Sequence, residues 1–454
     1  MNADRPLRVA VVGSGPAGFY AVGALLTAAA EVDLLERLPT PWGLVRLGVA
    51  PDHPKIKSVS RAFEKTAEKP GFRLLANVEV GRDVTHAELA AHYDAVVYTV
   101  GAQTDRRLGI EGEELDGSWP ATAFVAWYNG HPDFADLSFD LDTTRVVVIG
   151  NGNVAVDVAR MLALAESEIS PTDTADPAIT AILASPLKEI VVVGRRGPAQ
   201  AAFTNPELVE LTELAEADLV IDPADLQLDP ASEAALEHDP MARRNLETLR
   251  AAAARPLAGR RRRIVLRFLT SPVALRGDGR VEAVEVVRNR LEVNSEGQLA
   301  AIATDERETI LCGLVLRSVG YRGIPIEGVP FDERRATMPN RGGRVLGANG
   351  EQVAGLYCAG WIKRGPSGVI GTNKKCAVET IDALLEDAAA GHLPTSAAAV
   401  ADLDALLAER GVEVVDLASW KALDAAERAA GGPQGRPRVK RLTWDDQLEA
   451  ALRR

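Results

Sequence analysis

Leu7-Arg8-Val9-Ala10-Val11-Val12-Gly13-Ser14-Gly15-Pro16-Ala17-Gly18 decides the fold. The apolar run predicts a short strand buried inside a parallel sheet, and the glycine-rich turn delivers the chain into an alanine- and leucine-rich helix ending near Ala30. A second strand, Val32 to Leu35, follows and ends at Glu36. Each turn position has a mechanical task. Gly13 permits the tight turn, Gly15 lets backbone approach a pyrophosphate, and Gly18 lets helix and strand pack closely. The helix N-terminus offers unpaired N–H groups and a positive dipole end to phosphates. Glu36, 23 residues after Gly13, stands where a carboxylate would accept hydrogen bonds from both ribose hydroxyls. Strand, turn, helix, strand and acid in that order predict a Rossmann-like unit for a dinucleotide without a 2′-phosphate, FAD.

A second unit begins 137 residues further on, from Gly13 to Gly150. Arg145 to Ile149 reads as another buried strand, and Gly150-Asn151-Gly152-Asn153-Val154-Ala155 is a variant of the same fingerprint, leading into a helix. Its second strand, Glu189 to Val193, ends at Arg195 and Arg196 where the first unit ends at an acid. Guanidinium groups bind a 2′-phosphate bidentately and stack on adenine, so this unit is expected to take NADP(H). The spacing predicts a doubly wound α/β protein with one nucleotide domain inserted into the other. Residues 1–104 and 320–454 form the FAD domain, 105–319 form the NADP(H) domain, and the Ala-rich tail after Gly391 is helical and used for packing or for a partner.

The length of 454 residues suits two or three domains, and 46% hydrophobic with 25% charged residues is the balance of a globular enzyme. A net charge of −13 gives no general bias towards nucleic acid, and no apolar run approaches a membrane span. Cys312, Cys358 and Cys376 follow no CxxC or metal-ligand spacing, so they read as buried thiols and neither a redox dithiol nor a metal site is expected. A core strand beginning near Leu7 leaves no room for a signal peptide, which makes the cytoplasm the expected compartment. Arg243, Arg244 and the run Arg260 to Arg263 are candidates for an electrostatic docking face; such runs are more often solvated surface.

Four stretches together resemble the adrenodoxin reductase-like ferredoxin–NADP(+) reductases. They are Pro39-Thr40-Pro41-Trp42-Gly43-Leu44-Val45-Arg46 with Gly48-Val49-Ala50-Pro51-Asp52-His53-Pro54-Lys55, the run Gly150 to Arg160, Gly194-Arg195-Arg196-Gly197-Pro198, and Gly360-Trp361-Ile362-Lys363-Arg364-Gly365-Pro366-Ser367-Gly368-Val369-Ile370-Gly371-Thr372-Asn373. They run in family order over most of the chain. The resemblance implies FAD contacts at Ala17, Glu36, Leu44, Val80, Trp361, Gly368, Val369 and Ile370. It implies NADP(H) contacts at Arg106, Asn151, Gly152, Asn153, Val154, Arg195, Arg196, Glu207 and Gly368. A glycine at 368 would let flavin and nicotinamide approach closely.

Two dinucleotides in one chain imply hydride transfer from NADPH to FAD, followed by single-electron transfers to a ferredoxin-type iron–sulfur protein. His53 and Glu210 are candidates to orient the nicotinamide or relay a proton; the plainer alternative is a loop histidine and a helix-surface charge. Competing readings are a pyridine-nucleotide disulfide reductase, a flavoprotein subunit resembling the glutamate synthase small chain, and a non-catalytic redox sensor. The missing CxxC opposes the first, and the missing N-terminal cysteine cluster opposes the second.

Overall fold

The computed structural model describes residues 5–295, 297–394 and 400–452. Arg8–Val12 sits in a seven-stranded sheet, flanked in parallel by Glu31–Glu36 and Ala95–Tyr98. Phe72–Ala76 adds to one side. On the other side Gln352–Cys358 pairs in parallel with Ala95–Tyr98, so chain from beyond residue 340 completes a sheet begun at residue 8. The first helix is Pro16–Thr27, three residues shorter than expected. Ala29 takes a left-handed φ of 58°, which ends the helix and turns the chain into the next strand.

The second sheet has six strands, ordered Ser118–Pro120, Leu314–Arg317, Arg145–Ile149, Glu189–Val193, Arg262–Arg267 and Ala217–Ile221. All its pairings are parallel. Helices cover one face through Val146, Val148, Val156 and Leu162. An antiparallel sheet of Thr270–Arg276, Ala283–Val293 and Leu299–Leu311 covers the other, packing Leu275, Val284 and Val286 onto Val147, Ile149 and Val191. Burial on both faces explains why these strands are uninterrupted Val/Ile runs. Between the sheets the chain crosses twice, and the two crossings pair with each other as Thr104–Asp105 against Tyr321–Arg322.

The tail is largely helical, with Val400–Glu409, Leu417–Gly431 and Trp444–Leu452 joined by coil, and it packs; residues 395–399 of that expectation lie outside the described residues. It straps both units. Trp420 meets Trp42 edge-on at 6.1 Å, and Glu427 accepts a bidentate pair from Arg46 at 2.9 and 2.7 Å, on the first unit. Arg436 then donates to the Thr172 carbonyl at 3.0 Å, and Lys440 donates to the Asn129 carbonyl at 2.9 Å and pairs with Asp173 at 3.2 Å, on the second. Lys57, from the first unit, closes on the same Asp173 at 2.8 Å. Burial pushes the pKa of both lysines down, and the two cations hold the Asp173 carboxyl well below its ordinary range although burial opposes them. Buried charges of this kind contribute little net stability, but they admit only one relative placement of the elements that carry them.

In the Arg260 to Arg263 run only Arg262 is buried, and the other three side chains are exposed. Arg262 is buried and donates to the carbonyls of Leu162 and Ile182, Arg263 pairs with Glu189, and Arg260 donates to the carbonyls of Leu214 and Ala217. The three cysteines are buried thiols without disulfides, and burial pushes Cys312 and Cys358 up to about 12 each. Among the described residues no helix is long and apolar enough to cross a membrane.

Candidate active site

At the first glycine turn the packing is backbone against backbone: a Cβ on Gly18 would lie 2.0 Å from the Gly13 carbonyl oxygen. The helix that follows starts at Pro16 with Gly15 as an N-cap that makes no side-chain cap, and its first turn carries no acid. Its N–H groups and positive dipole end are therefore not neutralised by the chain. A Cβ on Gly15 would meet nothing within 4 Å, so the turn faces open space. Glu36 is held at the rim of that space, accepting from the Ser14 N–H at 3.0 Å, the Ser14 hydroxyl at 2.6 Å and the Leu38 N–H at 3.0 Å. Anion-seeking N–H groups beside a fixed carboxylate suit a pyrophosphate joined to a ribose.

The other residues expected at this cofactor gather from three directions. Gly43, just before Leu44, backs onto Gly15, where a Cβ at position 43 would stand 2.8 Å from the Gly15 Cα. Val80 lies two residues past Val78, whose N–H donates to the Glu36 carbonyl at 2.9 Å. Gly360 abuts Ala17, and Trp361 follows with a buried indole N–H that has no partner among the described residues. Val369 is 57% exposed just ahead of the helix Ile370–Ala389. Gly368 has a nearer reason to be glycine than the approach of two cofactors. Its φ is +80°, and a Cβ would strike the Thr372 hydroxyl oxygen at 2.6 Å.

The second turn repeats the design. Gly150 has a φ of +127°, and a Cβ there would lie 2.1 Å from the Ser318 carbonyl oxygen. The helix Asn153–Ala163 has no side-chain cap and no acid in its first turn. Asn151 carries a buried, unpartnered amide nitrogen, whereas Asn153 is already engaged, accepting from the Thr204 N–H at 2.7 Å. Arg195 and Arg196 stand past the end of Glu189–Val193, anchored by their backbone carbonyls to Asn289 at 2.8 Å and the Leu269 N–H at 3.0 Å. Neither guanidinium has a carboxylate partner among the described residues, and burial with the Arg195 charge lowers the pKa of Arg196. Two unneutralised guanidiniums side by side suit a dianionic phosphate. Arg106, whose N–H donates to the Gly320 carbonyl at 2.9 Å, lies apart from them at the crossing between the sheets.

His53 and Glu210 come together at 2.6 Å, across the boundary between the two units. Sequence reasoning missed the group that organises them, the Arg160 guanidinium. Its side chain, 2% exposed, pairs with Asp52 at 2.7 Å, Asp157 at 2.9 Å, and Glu207 and Glu210 at 3.2 Å each. Burial raises carboxyl pKa values here, but the Arg160 hydrogen bond holds Asp52 low. Glu207, buried and beside Asp157, is pushed up to about 7 and donates a hydrogen bond to Asp157, whose own pKa burial also raises. Burial opposes a charge on His53, yet the hydrogen bond to Glu210 together with the nearby Asp157 and Asp52 carboxylates raises its pKa. The three side chains His53, Glu207 and Glu210 bring ligand atoms within 4.8 Å of one another. Arg160 already supplies the positive charge at that point, so the cluster does not call for a metal ion.

The Glu207 proton has a consequence for pH. A carboxyl raised from 4.5 to about 7 holds a proton in the folded protein that the unfolded chain releases. Its contribution to stability therefore falls as pH rises through that window and is constant above it. Glu207→Gln, which keeps a donor and cannot ionise, is expected to flatten the loss of stability between about pH 5 and about pH 8 in urea titrations. An unaltered pH profile would show that Glu207 is ionised throughout.

The pyridine nucleotide-disulphide oxidoreductase family model matches residues 7–193. The NADPH-ferredoxin reductase FprA of Mycobacterium tuberculosis is 50% identical, over 99% of this chain and 100% of its own. The mitochondrial NADPH:adrenodoxin oxidoreductase of Arabidopsis thaliana is 40% identical, over 99% and 96%. The solved structure of Mycobacterium tuberculosis FprA in complex with NADPH superposes with a TM-score of 0.93 at 48% identity, over 99% of this chain and 100% of that one. Full-length identity at this level sets the disulfide reductases aside, in keeping with the absent CxxC. The chain belongs to the adrenodoxin reductase-like ferredoxin–NADP(+) reductases, FAD-dependent oxidoreductases of NADPH.

Proposed function

We propose that this chain is an NADPH:ferredoxin oxidoreductase of the cytoplasm whose two nucleotide sites divide the work between an FAD domain (1–104 with 320–454) and an inserted NADP(H) domain (105–319). When bound, the cofactors supply hydride transfer from NADPH to FAD and the release of electrons one at a time to a ferredoxin-type iron–sulfur protein. The observation that carries the reading is the contrast between two otherwise alike units: a carboxylate, Glu36, ends one second strand, and paired guanidiniums, Arg195 and Arg196, follow the other. The double crossing at Thr104–Asp105 and Tyr321–Arg322 supports the domain limits. Unpaired thiols suit a reducing compartment.

In this reading Gly13, Ser14, Gly15, Ala17 and Gly18 seat the flavin nucleotide's pyrophosphate. Leu44, Val80, Trp361, Gly368, Val369 and Ile370 wall its ring and chain. Asn151, Gly152, Asn153 and Val154 seat the second pyrophosphate, with Arg106, Glu207 and Gly368 towards the nicotinamide end. His53 and Glu210 orient the nicotinamide and can move a proton between the His53 Nε2 and Glu210 Oε2 atoms, 2.6 Å apart. Hydride transfer itself requires neither an enzymic base nor a nucleophile, so the chain's contribution is orientation and exclusion of water.

Glu36→Ala tests the flavin assignment. It removes a ribose acceptor and also frees Ser14 and Leu38, so purified protein is expected to retain a small fraction of its FAD and to regain it only at raised FAD concentration. Stoichiometric FAD in that variant would remove Glu36 from the site.

A further inference from the structure

We propose that Lys440 and Trp444, in the tail, are positioning residues for hydride transfer, each bridging the two nucleotide units with a single side chain and so fixing their relative placement. The Lys440 side chain is fully buried. Its ammonium donates to the Arg46 carbonyl of the first unit at 3.2 Å and to the Asn129 carbonyl of the second at 2.9 Å. Arg46 lies in the short helix Leu44–Leu47, which begins at an expected flavin contact. Asn129 caps the C-terminal end of the helix Ala121–Tyr128, where a cation suits the dipole. Further along the tail, the Trp444 indole N–H donates to Asp133 of the second unit at 3.0 Å. The same ring carries the Arg37 guanidinium of the first unit over its face at 5.7 Å, and Arg37 directly follows Glu36. Both joints therefore start from chain next to the flavin site.

Their placement matters because the crossing between the sheets is thin. It consists of Thr104–Asp105 paired with Tyr321–Arg322, and a two-residue ladder resists separation of the units better than it resists rotation. Lys440 and Trp444 make their contacts elsewhere, at Arg37, Arg46, Asn129, Asp133 and Asp173, and so oppose that rotation. Gly130 lets the tail lie this close. Its φ is +70°, and a Cβ there would stand 2.8 Å from a Leu442 methyl and 3.6 Å from the Lys440 Cβ. Stability alone gives little reason for a fully buried ammonium, since an apolar side chain of similar volume often serves as well. What Lys440 adds is direction, because its N–H bonds are satisfied in one arrangement of the two units. Hydride transfer needs reacting atoms about 3–3.5 Å apart, and a misplacement of about 1 Å costs about a hundredfold in rate.

Lys440→Met removes the bridge and leaves Asp173 paired with Lys57. In the flavin-loaded variant, amide hydrogen exchange at the crossing is expected to quicken about tenfold, while Arg8–Val12 and Arg145–Ile149 exchange as before, because local opening and global unfolding are separable by this measurement. The rate of flavin bleaching at saturating NADPH is expected to fall about tenfold, with the half-saturating NADPH concentration within about twofold of its original value. Trp444→Phe, which keeps a ring at a half-buried position and loses the N–H bond, is expected to move both readouts in the same direction by less, and it carries the test if Lys440→Met does not fold. Unchanged exchange at the crossing or an unchanged bleaching rate would overturn the positioning role. Faster exchange throughout both sheets would also overturn it, by making the two residues elements of stability alone. The role rests on the two units holding the two nucleotides, and unaltered protein whose flavin NADPH does not bleach would overturn that reading and the positioning role with it.

Discussion

Replacing both Arg195 and Arg196 by alanine is expected to raise the KM for NADPH about a hundredfold and to leave turnover with NADH as it was. A hydrogen bond to a charged group is worth about 1.5–3 kcal/mol net, and each tenfold in affinity is about 1.4 kcal/mol. Two guanidiniums on one phosphate thus supply at least two decades even after solvent screening at a half-open site. The structure supports so large a share because neither side chain is diverted to a protein acid, and their backbones are fixed by Asn289 and Leu269. NADH has no 2′-phosphate and so loses nothing. Steady-state kinetics with both nucleotides at fixed ferricyanide measures the effect. An unchanged KM for NADPH would mean that the phosphate is bound elsewhere.

Arg160→Leu is expected to cost more stability than any exposed substitution in the chain, about 3–5 kcal/mol, the usual cost of removing one partner of a buried ionic group. The leucine would leave Asp52, Asp157 and Glu207, all largely buried, around an apolar side chain. The damage is also interdomain. Asp52 comes from the first unit and Arg160 from the second, so their bidentate pair at 2.7 and 3.1 Å ties the units together beside His53 and Glu210. Adding Asp52→Asn should recover part of the loss, because the carboxylate that Arg160 holds ionised is then neutral. Urea unfolding of flavin-loaded protein, followed by tryptophan fluorescence, measures both variants. A midpoint equal to that of the unaltered protein would show that the four acids do not need the guanidinium.

What the sequence revealed follows from how local the physics is. A strand, a glycine turn, a helix and an acid occupy consecutive positions, so the first unit could be read with helix-end errors of a few residues. The nested sheets could be read too, because Gly355 to Gly360 has the apolar pattern of a buried strand although its partner lies near residue 96. Arg160 was visible as a letter in a motif but not as a hub. Its partners stand at positions 52, 157, 207 and 210, and only folding brings them to one guanidinium. Arg436 and Lys440 were equally hidden, because a strap of polar coil has no periodicity to betray its burial. Arg262 was hidden for the converse reason. A buried arginine satisfied by carbonyls looks, in sequence, like one facing solvent.

The central claim is that electrons enter from NADPH, rest on the bound flavin and leave singly to an iron–sulfur protein. Anaerobic sequential-mixing stopped flow of the flavin-loaded chain tests it directly. NADPH in the first mix should bleach the flavin, and oxidised ferredoxin in the second should restore the flavin colour while two ferredoxins are reduced for each NADPH consumed. Flavin that is not bleached by NADPH, or that stays bleached in the presence of oxidised ferredoxin, would contradict it.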